Sequence, residues 1–339
     1  MPPLSVLDLS FTTTATPGSV AIRETIDLAR LTDRLGYHRF WVAEHHNLPS
    51  VASGAPEIMI GAIAAATSRI RVGAGGVMLP NHAPLMVAER FKVLEALYPD
   101  RIDLGLGRAP GTDPRTSLAL RRRQEVRADD DFLERFQELM AWKTGGFGEG
   151  HPFRSIRVMP EDVPLRPIWL LGSSDYSAEL AGRVGLGFAF AHHFASLGAD
   201  HAMAVYHDHF TPSQWLEKPH AILTVAAICA ETTEEAERLA SSADYGHVRR
   251  SRGQFGPIVS PEEALAYPYT HEDEVLRRAN RARLFVGTPS SLRDRLSEFA
   301  AKVDADEIMV MTAIFDQAAK YRSYELLAHA FHLGSTLPA

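Results

Sequence analysis

Apolar runs of four to nine residues alternate along the chain with longer segments whose apolar positions recur every three or four residues. The runs fall at 4–10, 40–43, 70–77, 102–106, 168–171, 188–191, 222–230 and 308–314. Each is followed by helical spacing, over 19–35, 55–67, 85–97, about 129–143, 176–184, weakly 200–210, from 232 onward, 288–302 and 318–331. Gly36 and Gly185 stop two of these helices, as a residue free to turn left-handed does at a helix C-terminus. Thr232 with Glu235 has capping-box spacing, and Thr288 with Pro289 reads as N-cap and first helical residue. The apolar runs are continuous rather than alternating, which is the pattern of parallel strands buried on both faces. A doubly wound sheet and a closed (β/α)8 TIM barrel, both α/β folds, share that pattern. Eight strand–helix units favour the barrel.

No linker divides the 339 residues, so one domain over 1–339 is expected. The gaps at 109–167 and 231–285 exceed what a plain strand–helix unit needs and read as insertions in the βα loops. Composition narrows the partners. The net charge of −7 argues against nucleic acid and anionic membrane. No apolar run approaches the ~20 residues of a membrane helix, and the opening Met-Pro-Pro-Leu-Ser lacks the basic start of a secretory signal. A cytoplasmic protein is expected. The single cysteine, Cys229, lies in an apolar run and reads as a buried, inert thiol.

In a barrel, chemistry collects where strands end. Glu44-His45-His46-Asn47 follows the second strand, and Arg108 closes the fourth. Gly172-Ser173-Ser174-Asp175-Tyr176-Ser177 follows the fifth, and His192-His193 the sixth. The two histidine pairs admit a metal reading, a catalytic one, or imidazoles bonded to backbone. Adjacent residues on an extended strand point apart, which disfavours shared metal ligation. Gly105-Leu-Gly107-Arg108 is not a dinucleotide fingerprint, because the third glycine is late and Pro110 stands where a helix should begin. Arg108 could pair with a carboxylate or meet an anion. The serine-rich turn could cap a helix or bind phosphate through free N–H groups and the helix dipole. The glycines at 73, 75 and 76 mark either close packing against a helix or close approach to a ligand.

Together these residues resemble the bacterial-luciferase-like flavin-dependent monooxygenases. The matching stretches are Leu35-Gly-Tyr-His-Arg-Phe-Trp-Val-Ala-Glu-His-His46, Arg71-Val-Gly-Ala-Gly-Gly-Val-Met-Leu-Pro80 with Asn81-His-Ala-Pro84, Arg101-Ile-Asp-Leu-Gly-Leu-Gly-Arg108, the 173–177 turn and Val286-Gly-Thr-Pro289. The resemblance implies a (β/α)8 barrel in which reduced FMN and molecular oxygen oxidise a small organic substrate. His45 takes the place of the family's catalytic histidine, and Gly75 and Gly76 that of a cis peptide against the flavin ring. Arg108, Ser173, Ser174, Tyr176 and Ser177 take the place of the flavin phosphate contacts. The resemblance also implies a separate flavin reductase as partner and a homodimer through barrel helices. Ser173 replaces an acidic residue of luciferase itself, and Gly107 stands where luciferase has a reactive cysteine. Those departures argue against light emission from long aldehydes. A deazaflavin-dependent dehydrogenase of the same fold, a non-catalytic flavin-binding paralogue and a metal-dependent barrel hydrolase are the alternatives.

Overall fold

The computed structural model describes residues 1–121, 131–195 and 198–334. Its strands are β1 (Leu4–Asp8), β2 (Arg39–Val42), β3 (Arg71–Met78), β4 (Ile102–Gly107), β5 (Ile168–Gly172), β6 (Gly187–Ala191), β7 (Ala221–Cys229), β8 (Leu284–Gly287) and β9 (Glu307–Met311). Its α-helices are α1 (Gly18–Leu35), α2 (Pro56–Ala66), α3 (Pro84–Leu97), α4 (Pro114–Arg121), α5 (Phe132–Thr144), α6 (Asp175–Val184), α7 (Ala199–His209), α8 (Thr233–Ser251), α9 (Pro261–Ala266), α10 (His271–Arg281), α11 (Pro289–Lys302) and α12 (Gln317–Ala330). None is long and apolar enough to cross a membrane.

All pairings between these strands are parallel. The order runs from β6 down to β1, then to β9 and β7, and β7 pairs back onto β6. The sheet therefore closes as the expected eight-stranded barrel. The remaining strand, β8, pairs among the described residues only with Ala226–Cys229, at the C-terminal end of β7. In the sequence the apolar pattern of Leu284–Gly287, at the end of the 231–285 insertion, is too short to separate from a loop.

Alternate side chains of each strand enter different cores, which is why the apolar runs are continuous. Leu7, Trp41, Trp169, Ala189, Ile222 and Met309 meet inside the barrel. Val6, Phe40, Val42, Val72 and Leu104 join the core between strands and helices. Both predicted glycine stops hold. Gly36 and Gly185 are left-handed, with φ of 88° and 67°, and their N–H groups bond back to the last turns of α1 and α6. Thr232 caps α8 by accepting from the Glu235 N–H at 3.2 Å. The helix expected over 129–143 begins at Phe132 among the described residues; Asp129 lies outside them.

The N-terminal end of the barrel is filled by charge. Arg39 donates to Asp103 at 2.8 Å and to Glu307 at 2.8 Å, while Arg71 reaches the other oxygen of Asp103 at 2.6 Å. Trp41 Nε1 donates to Asp103, and Ser5 to Glu307. Burial opposes ionisation of both carboxyls, but Arg39, with Arg71 on Asp103, outweighs it and holds them below their usual pKa values. The Arg39 guanidinium also stacks 4.7 Å from the Trp169 ring. This layer plugs one end, so access to the interior is left to the other.

Candidate active site at the C-terminal mouth of the barrel

Because every strand runs the same way, the loops after β2, β3, β4, β5 and β6 gather at one end. Glu44, immediately beyond β2, organises the nearest part of it. Its buried carboxylate is bonded by His46 Nε2 at 2.9 Å, His82 Nε2 at 2.9 Å, Asn81 Nδ2 at 3.1 Å and the Met78 N–H at 2.8 Å. Burial raises its pKa, but these bonds, led by His82, outweigh burial and hold it below the usual value. Glu44 is thus committed to tying the β2 loop to the end of β3. His46 is committed with it.

His45 is free of that network. It faces a cavity of about 260 Å³ whose floor also includes Leu9, His193 and Met311. Burial lowers the His45 pKa, against a smaller opposing pull from the Gly111 backbone and Glu44. The imidazole is therefore neutral at neutral pH, with one nitrogen able to accept a proton and the other to donate. His193 is held lower, at about 4, by burial first. His192 turns the opposite way and packs on Phe299, 4.8 Å between ring centroids. The four histidines therefore do not converge: one serves Glu44, one packs in apolar surroundings and two face the cavity.

The glycines of β3 pack closely against neighbouring strands, where the helix-packing alternative would have placed a helix. A Cβ on Gly75 would come within 2.9 Å of the Trp41 ring, and one on Gly76 within 2.9 Å of the Gly105 carbonyl. The Gly75–Gly76 peptide is cis, and the Gly76 carbonyl accepts from the Glu44 N–H at 3.2 Å.

The serine-rich turn lies between β5 and α6. Ser174 is the N-cap in extended conformation, yet its side chain makes no capping hydrogen bond. The ordinary reason for a serine there is absent. Ser173, Ser174 and Tyr176 are exposed, while Ser177 is buried against Gly172, where an added Cβ would lie 2.8 Å from the hydroxyl. Arg108 comes from the neighbouring strand end and lies over the Tyr176 ring at 4.6 Å. Among the described residues, no carboxylate lies within ion-pair distance of its guanidinium. The alternative of a structural ion pair for Arg108 is therefore not what the structure shows. Asp175, the acidic residue of this turn, is paired with His201 at 3.2 Å. Arg108, Ser173, Ser174 and Tyr176 thus form one surface. Gly75, Gly76 and His45 lie at the same end of the barrel on other strand ends.

Sequence reasoning did not place the other wall of the cavity. Tyr245, Arg249 and Arg250 of α8, the 254–259 segment and Arg283 line it. The length of the 231–285 insertion was the signal that pointed there.

A family model for luciferase-like monooxygenases matches residues 4–306. YvbT of Bacillus subtilis (strain 168) is 42% identical over 325 residues, covering 96% of this chain and 95% of the relative. A luciferase-like monooxygenase of Escherichia coli (strain K12) is 41% identical over 322 residues, 95% of each chain. The N-acetyl-S-alkylcysteine monooxygenase of B. subtilis (strain 168) is 33% identical over 332 residues, covering 96% of this chain and 97% of the relative. Among solved structures, apo-MsnO8 superposes with a TM-score of 0.90 at 40% identity, covering 98% of this chain and 99% of that one. The fold is shared at lower identity by the oxygenating constituent of 3,6-diketocamphane monooxygenase in complex with FMN (TM-score 0.71, 19%, 97% of each chain). It is also shared by an F420-dependent secondary alcohol dehydrogenase (TM-score 0.66, 14%, 97% of this chain and 98% of that one). The chain belongs to the luciferase-like monooxygenase family and is an oxygen-incorporating oxidoreductase.

Proposed function

We propose that the protein uses reduced FMN and molecular oxygen to oxidise a small organic substrate at the C-terminal mouth of the barrel. The observation that carries this reading is the surface made by Arg108, Tyr176 and Ser174. A cation with no carboxylate partner among the described residues, an aromatic face and a helix N-terminus whose N-cap side chain makes no capping hydrogen bond meet at one place. That donor set suits a terminal phosphate attached to an aromatic ring system. The FMN named with one solved neighbour agrees with it; the F420 named with another keeps a deazaflavin as the alternative cofactor.

In this reading Arg108, Ser173 and Ser174 hold the phosphate, Ser177 supports the turn from beneath, and the β3 wall at Gly75 and Gly76 presents backbone to the ring. Reduced flavin, when bound, supplies the electrons that activate oxygen. His45, neutral and facing the cavity, holds or moves a proton at its ring nitrogen beside the reacting groups. The α8 and 254–259 walls exclude water. A separate reductase supplies the reduced flavin. One domain spanning 1–339 carries these parts. Ile58, Met86 and Leu97, on α2 and α3, are 71%, 49% and 62% exposed and support association of two copies through these barrel helices.

Oxygen uptake after adding chemically reduced FMN tests the reading. Oxygen consumption faster than free flavin, with flavin binding to the protein, is the expected result. Anaerobic reduction of oxidised deazaflavin by an organic substrate, with no response to FMN, would replace it with the dehydrogenase reading.

A further inference from the structure

The cavity faced by His45 has an electrostatic asymmetry. Arg249, Arg250 and Arg283 line it together with His45 and His193, and among the described residues no Asp or Glu does. The protein as a whole carries a net charge of −7, so acidic partners are plentiful. Elsewhere on the same helices the arginines use them. Arg281 pairs with Asp244 at 2.8 Å and Glu237 at 2.8 Å, Arg277 with Glu274 at 2.7 Å, and Arg238 with Glu262 at 2.6 Å. The side-chain contacts of Arg283 and Arg249 are with neutral groups. Arg283 donates to the Phe194 carbonyl at 3.1 Å and lies 2.6 Å from His247 Nδ1 and 3.3 Å from Asn280 Oδ1. Arg249 stacks 5.7 Å from the Tyr245 ring. Among the described residues, no carboxylate lies within ion-pair distance of any of the three.

Their neighbours register the excess. His247 is held at about 4 by burial and then by Arg283 and Arg250. The pKa of Arg250 is lowered from its usual value by the surrounding protein and by Arg283. Asp244 faces this group from α8, but it is occupied by Asn280 at 2.9 Å and by Arg281. The remaining walls include the apolar side chains of Phe11, Leu48, Val51 and Phe255. A site that gathers guanidinium groups without counter-charge is completed by an anion, and the planar fork of arginine matches a carboxylate in particular.

We propose that this cavity binds a small carboxylic acid with an apolar body, its carboxylate held by Arg250 and Arg283 and its body directed toward His45. That the acid is the substrate rests on the flavin-dependent reading above; the anion subsite itself rests on the three arginines. The other source of an anion is the flavin phosphate, and the experiment separates the two.

Calorimetry on the full chain compares octanoate and 4-phenylbutyrate with octanamide and 4-phenylbutanamide. The same titrations are run on Arg250→Gln and on the control Arg277→Gln, whose arginine faces Glu274. FMN and riboflavin are titrated in parallel. The expected result is an acid preference of about tenfold or more in the wild type and in Arg277→Gln. That preference falls below about twofold in Arg250→Gln, with both flavins binding as before. Failure of either acid to bind, or equal binding of acids and amides, overturns the subsite. So does a loss in Arg250→Gln of FMN affinity but not riboflavin affinity, which would give the arginines to the phosphate and leave the flavin reading standing. An acid preference abolished by Arg250→Gln in a protein that binds no flavin would uphold the subsite and remove the cofactor reading. Melting temperatures of the variants confirm that they are folded, and Arg283→Gln provides a second arm should Arg250→Gln not fold.

Discussion

Arg39 and Arg250 both serve the interior of the barrel, and the protein treats them in opposite ways. Arg39, at the N-terminal end, is buried between Asp103 and Glu307, stacks on Trp169 and has every charge beside it answered. Arg250, at the C-terminal mouth, has no ion pair among the described residues and faces a cavity with two further arginines. The same division holds for the carboxylates and imidazoles. Asp103 and Glu307 are ionised and satisfied, whereas His45 and His193 are neutral and turned toward space. Groups satisfied within the protein support the fold. Groups left unsatisfied are where a ligand has something to gain.

The widest separation between the two ends is expected from His45→Ala. General acid–base help is typically worth ~10²–10⁴ in rate. Product formed per reduced FMN should fall by about that factor, with melting temperature and FMN affinity nearly unchanged. A parallel loss of stability would assign His45 to the fold and blur the comparison.

Asp103→Asn should do the reverse. It takes their shared carboxylate from the buried Arg39 and the partly exposed Arg71, and breaking a buried pair on one side typically costs about 3–5 kcal/mol. Urea denaturation should show a loss of that order, while the folded fraction binds FMN with wild-type affinity. A loss below ~1 kcal/mol would mean that the polar layer is not what secures this end.

Acid should open the two ends in sequence. His193 and His247 have folded pKa values of about 4, below the ~6.5 of a free imidazole. The unfolded chain therefore binds more protons between pH 6.5 and 4, and stability at the mouth falls as pH falls through that window. Asp103 and Glu307 lie below their usual carboxylate values, so their contribution persists above about pH 4 and is lost only as pH drops toward their folded values. Hydrogen exchange should show amides of α8 and the end of β6 losing protection first. Simultaneous loss in β2 and β4 would contradict the division.

The two ends also differed in how far the sequence disclosed them. The barrel was legible because burial on both faces writes continuous apolar runs, and because Gly36 and Gly185 stop their helices as glycine does. The strand ends were legible because His45, Arg108 and Ser174 stand just past apolar runs, where stability gives no reason for them. The polar plug was not, since Arg39, Asp103 and Glu307 are distant in sequence and meet only through strand register. The cavity arginines were missed for a related reason. Arg250 and Arg283 look like surface charges on helical sequence until the 231–285 insertion folds over the mouth. Signals within it, such as the Thr270–Asp273 capping box of α10, are local and do not show where the helix docks.

The central claim is that the mouth of the barrel binds a flavin by its phosphate, and Ser174→Asp tests it most directly through paired titrations of FMN and riboflavin. The new carboxylate would stand beside the bound phosphate, and two like charges ~4 Å apart repel by about 1–4 kcal/mol at a partly solvated site. FMN affinity should fall about tenfold or more, while riboflavin, which lacks the phosphate, loses clearly less. Equal losses for the two flavins, or no loss for either, would contradict the claim and leave the turn as a helix start alone.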